Sequence, residues 1–130
     1  MPLRRSRQVP PGPVWGEALL LVALGAIPGA LLRWFLQSDP FANLLGCLLI
    51  GLVQGLQPAR PRLLLVVAIG LCGALTTFSG WILALANALA EGRTLVVALL
   101  LLESGAGVLV VAAGARLARL WQRQIGRAHV

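Results

Sequence analysis

Four stretches of the chain are apolar enough to cross a membrane, and short polar turns separate them. We place the spans at residues 14–36, 41–56, 63–90 and 95–117. A bilayer core of about 30 Å requires about 20 apolar helical residues, so these lengths suit membrane crossing. Of the 130 residues, 58% are hydrophobic and 12% are charged, which is too apolar for a soluble domain of this size. The sequence therefore predicts an all-α membrane protein with four transmembrane helices.

The third stretch contains a polar segment, residues 70–81, which reads GLCGALTTFSGW. Lipid offers no hydrogen-bond partners, so such a segment persists at bilayer depth only against protein or a water-filled path. A span of about 28 residues is also longer than a straight crossing needs. We therefore predict a helix broken mid-membrane at residues 73–77, with the functional site at the break. The alternative is an unbroken, tilted helix whose glycines serve packing.

A few polar or small residues in the other spans also need an explanation. Asn43 is costly against lipid and should face protein or water. Glu103 is the one acidic residue deep in a span, where it costs about 2.5–3.5 kcal/mol unless paired, hydrated or protonated. Arg33, near the end of the first span, can snorkel to the interface or cap a helix C-terminus. Gly25 and Gly29 allow a neighbouring helix to come close.

The arginines set the predicted orientation, because basic residues favour the cytoplasmic side. Only Arg33 and Arg93 lie on one side of a four-span arrangement. The other side carries Arg4, Arg5, Arg7, Arg60, Arg62, Arg116, Arg119 and Arg123. We expect a multi-pass protein of the bacterial inner membrane with both termini in the cytoplasm.

Both ends of the chain are expected to lie outside the four-span domain, 14–120. Residues 1–13 form a basic cytoplasmic tail and residues 121–130 form a second tail. The last six residues read IGRAHV, which is similar to one translation of a common sequencing adapter. We expect them to be an artefact and leave them, with His129, out of the interpretation.

Three motifs resemble those of the fluoride channels called Fluc or CrcB. Residues 25–34 (GAIPGALLRW) are similar to the family pattern GGxxGxxxRY in the first span. Residues 43–51 (NLLGCLLIG) are similar to NxxGSFxxG in the second, and residues 73–81 (GALTTFSGW) to GGxTTFSTF in the third. The motifs occur in order and at suitable spacing, in a chain of the right length and span count, so the combination is specific.

The resemblance implies an antiparallel dimer of four-span subunits with two fluoride pores and a structural sodium ion at its centre. Backbone carbonyls of Gly73 and Thr76 would hold the sodium, and Arg33, Gly25 and Gly29 would be structural. The implied fluoride path is lined by Asn43, Thr77, Phe78, Ser79, Trp81 and Ser104. Amide and hydroxyl groups can donate to the anion, and aromatic ring edges carry partial positive charge. A narrow lining of this kind favours fluoride over chloride. The two aromatic residues could instead be a packing pair three positions apart.

The sequence departs from the family pattern at several positions. Trp81 replaces a phenylalanine, and Cys47 and Leu48 replace the serine and phenylalanine of the second motif. Glu103 or Ser104 falls near an expected serine, and an ionised carboxylate there would repel fluoride. An antiparallel homodimer also requires each copy to insert either way, whereas the arginine asymmetry here is strong. We therefore expect a partner, a related subunit of opposite charge bias.

Two other functions stay open at this point. A small four-span transporter of the multidrug type would need a carboxylate inside its first span, but Glu17 lies near the end of that span and Glu103 lies in another. A non-conducting structural subunit would explain the departures from the pore pattern. An enzyme is not expected, because the sequence has no nucleophile–base pair, metal-ligand cluster or phosphate-binding loop.

Overall fold

A computed structural model describes residues 13–128, and side chains up to residue 127. In this part of the chain the spans are helical and run alternately in opposite directions. They are α1 (Trp15–Leu36), α2 (Asp39–Gly55), an interrupted third span (Pro61–Ala90) and a last helix, α5 (Thr94–Ala128). Three of the four are long and apolar enough to cross a membrane, and α2 is a shorter apolar helix. The predicted all-α fold with four helices is confirmed, and the chain is a multi-pass membrane protein.

The third span has two helical parts, α3 and α4. α3 consists of Pro61–Leu63, a π-helix over Leu64–Cys72, and Gly73–Leu75. Thr76 and Thr77 follow with extended backbone (ψ 155° and 120°), and α4 is Phe78–Ala90. The predicted interruption covered residues 73–77, whereas extended backbone is limited to the two threonines. Gly73 continues the helix because its φ and ψ, −61° and −34°, are ordinary helical values.

Helices α1 and α3 pack with their backbones in direct contact. A Cβ atom at Gly25 would overlap the carbonyl oxygen of Val66, and one at Gly29 would overlap that of Leu71. Both glycines are buried. Small residues allow such close approach between membrane helices, which gain stability from van der Waals packing rather than from the hydrophobic effect. The two glycines therefore fix the position of α3 against α1.

Helices α2 and α5 form a second close pair in the same way. Gly51 lies against the backbone of Val111, and Gly55 lies against the backbone of Ala115. The fold is thus two closely packed helix pairs, α1–α3 and α2–α5, with α4 continuing the third span beside α5. The outer surface is strongly apolar, and Trp15 and Leu109 are examples, with 88% and 72% of their surface exposed.

Polar contacts tie the helices together at one end of the bundle. At one end Arg62 donates to Glu17, which joins the start of α3 to the start of α1. At the same end the Gln57 backbone and the Gln122 side chain exchange two hydrogen bonds of 2.9 and 3.0 Å. The first turn of α1 and the last part of α5 therefore lie at one end.

Helix α5 continues to Ala128, past the predicted end of the fourth span at residue 117. Its last part carries Arg119, Arg123 and Arg127 and is polar, but leucine, arginine, glutamine and alanine are all good helix formers. The expected second tail is therefore helical as far as it is described. Most of the expected basic N-terminal tail and His129 lie outside the described residues.

Candidate functional site: a polar cavity beside the interrupted span

A cavity of about 350 Å³ opens between α2, α4 and α5, next to the interruption of the third span. It is lined by Asn43, Cys47, Thr76, Thr77, Phe78, Trp81, Glu103, Ser104, Gly107, Val108 and Val111. Five of the six predicted fluoride-path residues are therefore brought together. The sixth, Ser79, lies outside the lining, although its Oγ is 3.4 Å from the Thr77 Oγ1.

Asn43 is the central polar group of this cavity. Its Oδ1 accepts a hydrogen bond of 2.8 Å from the Thr77 backbone N–H, and its Nδ2 donates one of 3.0 Å to Glu103 Oε1. The amide of Asn43 thus connects α2 with the interrupted span and with α5. One of its two amide hydrogens is used by Glu103, and the other is left to donate elsewhere.

The interruption redirects two backbone N–H groups away from their helical partners. In a continuous α-helix the N–H of Thr77 would bond to the carbonyl of Gly73, and that of Gly80 to the carbonyl of Thr76. Here Thr77 donates to Asn43, and Gly80 donates to the Thr77 Oγ1 at 3.1 Å, as at a helix N-cap. The carbonyls of Gly73 and Thr76, which are the predicted sodium ligands, both lose their helical donors.

Arg33 contributes a third contact at the interruption. Its Nη1 donates to the carbonyl of Leu75, the last residue of α3, at 3.3 Å, and its Nη2 pairs with Asp39 at 2.7 Å. Of the two roles open for this arginine, the geometry matches a C-terminal cap, made on α3 from α1. The pairing with Asp39 was not predicted, although the short turn before α2 places this carboxylate only six residues after Arg33.

Phe78 and Trp81 are stacked, with ring centroids 5.8 Å apart and an angle of 14° between the planes. They form a pair three positions apart and also line the cavity. Phe78 is 75% exposed. The indole N–H of Trp81 donates to the Leu100 carbonyl at 3.1 Å, and the Ser104 hydroxyl donates to the same oxygen at 3.3 Å. The indole and hydroxyl hydrogens are therefore both used within the chain.

A second cavity, of about 490 Å³, adjoins the first toward the turn before α2. It is lined by Gln37, Ser38, Asp39, Pro40, Asn43, Gly80, Trp81, Ala84, Leu100 and Glu103. Asn43, Trp81 and Glu103 belong to both linings, so they stand at the junction. The sequence marked Glu103 as costly in a span, but no pattern in the sequence pairs it with a residue of α2.

Comparison with known families matches residues 20–115 to the model described as CrcB-like protein, Camphor Resistance (CrcB). The chain belongs to the CrcB family. The match spans all three motifs that carry the resemblance, which is thereby confirmed. The family is one of fluoride channels rather than enzymes, so the expectation of a non-enzyme is supported at the level of the family.

Relatives in the CrcB family carry the name fluoride-specific ion channel. FluC 2 of Prochlorococcus marinus (strain MIT 9313) is 44% identical over 101 residues, covering 77% of this chain and 80% of the relative. FluC of Chlorobium phaeobacteroides is 36% identical over 121 residues, covering 80% and 94%. FluC 2 of Parasynechococcus marenigrum is 55% identical over 71 residues, covering 51% and 53%.

Proposed function

We propose that this chain is a subunit of a fluoride-selective channel through which fluoride leaves the cytoplasm, which reduces its toxicity. The convergence of Asn43, Thr77, Phe78, Trp81 and Ser104 on one cavity is the observation that carries the proposal. Relatives with the printed name fluoride-specific ion channel support it. The two adjoining cavities supply a course for the ion along α2, α4 and α5.

The groups along this course suit a small, strongly hydrated anion. Fluoride must exchange its water shell for hydrogen-bond donors, and the second amide hydrogen of Asn43 is such a donor. The edges of the Phe78 and Trp81 rings carry partial positive charge. Selectivity against the larger chloride depends on the width of the path and on the number of donors along it. An ionised Glu103 would repel the anion.

A sodium ion fits the interruption of the third span. Sodium prefers hard oxygen ligands, and the carbonyls of Gly73 and Thr76 have lost their helical donors to Asn43 and Thr77. Interrupted membrane helices commonly offer such carbonyls to cations. We assign both carbonyls to a structural sodium ion, which would neutralise the partial negative charge at the end of α3.

The sodium assignment can be tested through the ion itself. Replacing sodium by N-methylglucamine on both sides of the membrane should abolish fluoride efflux. Readdition of sodium should restore it, whereas lithium or potassium should do so less well. Full efflux without sodium would contradict the assignment.

We further propose that the subunit works as an antiparallel dimer. Phe78 is 75% exposed, and beyond its own helix no atom lies within 4 Å of a Cβ built on Gly73. A second subunit against this surface would cover the aromatic pair and complete the sodium site. Arginine asymmetry favours a partner of opposite orientation and opposite charge bias over a second copy of this chain, with both termini of this chain in the cytoplasm of the bacterial inner membrane.

Fluoride efflux from liposomes tests both parts of the proposal. The chain is purified alone and after coexpression with a homologue whose arginines lie on the opposite loops. We expect fluoride efflux without chloride efflux from the mixed complex, and little from the chain alone. A conducting antiparallel homodimer would contradict the heterodimer. Absence of fluoride efflux from every preparation would contradict the channel and favour a structural subunit, and proton-coupled dye uptake would favour a multidrug-type transporter.

A further inference from the structure

Glu103 is an acidic group that neither fluoride conduction nor sodium binding requires. It lies at the junction of the two cavities and accepts from the Asn43 Nδ2 at 3.0 Å. Asn43 in turn accepts from the Thr77 N–H at 2.8 Å. Three elements, α2, α5 and the interruption, are therefore connected through a single side-chain amide.

A side-chain amide can adopt two orientations that exchange its oxygen and nitrogen and occupy almost the same space. Only one orientation of Asn43 turns its oxygen toward the Thr77 N–H. The reverse would set the NH₂ group against another donor and leave the Thr77 N–H without an acceptor. An acceptor next to Nδ2 selects the first orientation, and the Glu103 carboxylate is that acceptor.

We propose that Glu103 is a positioning residue, which acts through Asn43 to hold the Thr77 N–H in its contact at the interruption. With Glu103 present, both ends of the Asn43 amide are bonded. Without Glu103, only the Thr77 N–H restrains the amide, so this N–H is left without its acceptor more often and its hydrogen exchanges faster. The benefit of this role to transport rests on the proposed function, but the contacts themselves do not depend on transport.

The test is hydrogen exchange at the Thr77 amide, followed by NMR on the full chain in micelles. Glu103→Gln keeps an oxygen that accepts from Asn43, so exchange should stay as slow as in the parent protein. Glu103→Met has similar length but no such oxygen, and exchange should become faster by about tenfold or more. Glu103→Ala serves as a second variant without an acceptor. Glu91→Met, at an exposed glutamate of the turn before α5, is the matched control and should leave the Thr77 amide unchanged.

A double-mutant cycle separates action through Asn43 from a general loss of structure. In an Asn43→Ala background, Glu103→Met should change Thr77 exchange by less than about twofold. Equal exchange in the parent protein and Glu103→Met would overturn the proposal, as would Glu103→Gln behaving like Glu103→Met. Because the readout is the amide and not flux, failure of fluoride efflux in the parent protein would overturn the channel and leave this result standing.

Discussion

The α1–α3 pair and the α4–α5 pair use the same interrupted span in opposite ways. In α1–α3, Gly25 and Gly29 bring two backbones into direct contact. In α4–α5, the side chain of Trp81 bridges to the Leu100 carbonyl, and cavities open beside it. Close packing holds one half of the span in place, while the other half borders open space. One span thus combines a closely packed half with the half at which we propose that fluoride passes.

The largest loss of stability is expected when α1 and α3 are forced apart. Gly25→Ala places a methyl group on the carbonyl of Val66, so α1 and α3 must separate, at a cost of about 3 kcal/mol. Gly105→Ala is the matched control, because beyond its own helix no atom of the described chain lies within 4 Å of a Cβ built there. Thermal unfolding in mild detergent measures both. Equal stability of the two variants would show that backbone contact does not support the bundle.

The next largest effect is expected at Arg33 of α1, which contacts the last residue of α3 at the interruption. Arg33→Met removes the donor to the Leu75 carbonyl and the partner of Asp39, and should destabilise the subunit by about 2 kcal/mol. Arg93→Met, in the exposed pair with Glu91, should cost less than about 1 kcal/mol. The same unfolding assay compares them. A larger loss for Arg93→Met would contradict the assigned role of Arg33.

In the open half, Asn43→Ala removes the acceptor for Thr77 and the donor that we propose for fluoride. Fluoride efflux from liposomes containing the conducting complex should fall by about tenfold or more, which corresponds to about 1.4 kcal/mol. Asn87→Ala changes an exposed asparagine of α4 and should leave efflux near the parent value. Unchanged efflux in Asn43→Ala would show that the fluoride path does not pass through this cavity.

The smallest effect is expected at the bridge between α4 and α5. Trp81→Phe keeps an aromatic ring beside Phe78 but loses the indole donor to Leu100, at a cost of about 1 kcal/mol in stability. Fluoride efflux should change by less than about threefold, since the indole N–H is already bonded to the Leu100 carbonyl. A tenfold loss of efflux would instead assign that N–H to fluoride.

Hydropathy alone predicted the four helices, because lipid requires long apolar segments with satisfied backbones. The glycines and threonines of residues 70–81 also identified the polar region around which the cavity lies. The exact residues of the interruption could not be predicted from the sequence, since Gly73 tolerates either helical or extended backbone. Contacts between residues far apart in the chain could not be predicted either. Asn43 and Glu103 are 60 residues apart, and only the packing of α2 on α5 brings them together.

At the interruption, backbone groups that lack their helical partners bond to side chains from distant parts of the chain. Arg33 and Asn43 belong to α1 and α2, and both are synthesised before Thr77. In lipid, the third span on its own can satisfy its backbone only as an unbroken helix. Separation of α3 from α4 must therefore follow docking onto the first hairpin. The order of translation thus delivers Arg33 and Asn43 before the interrupted span, whereas Glu103, which bonds to Asn43, arrives only with α5.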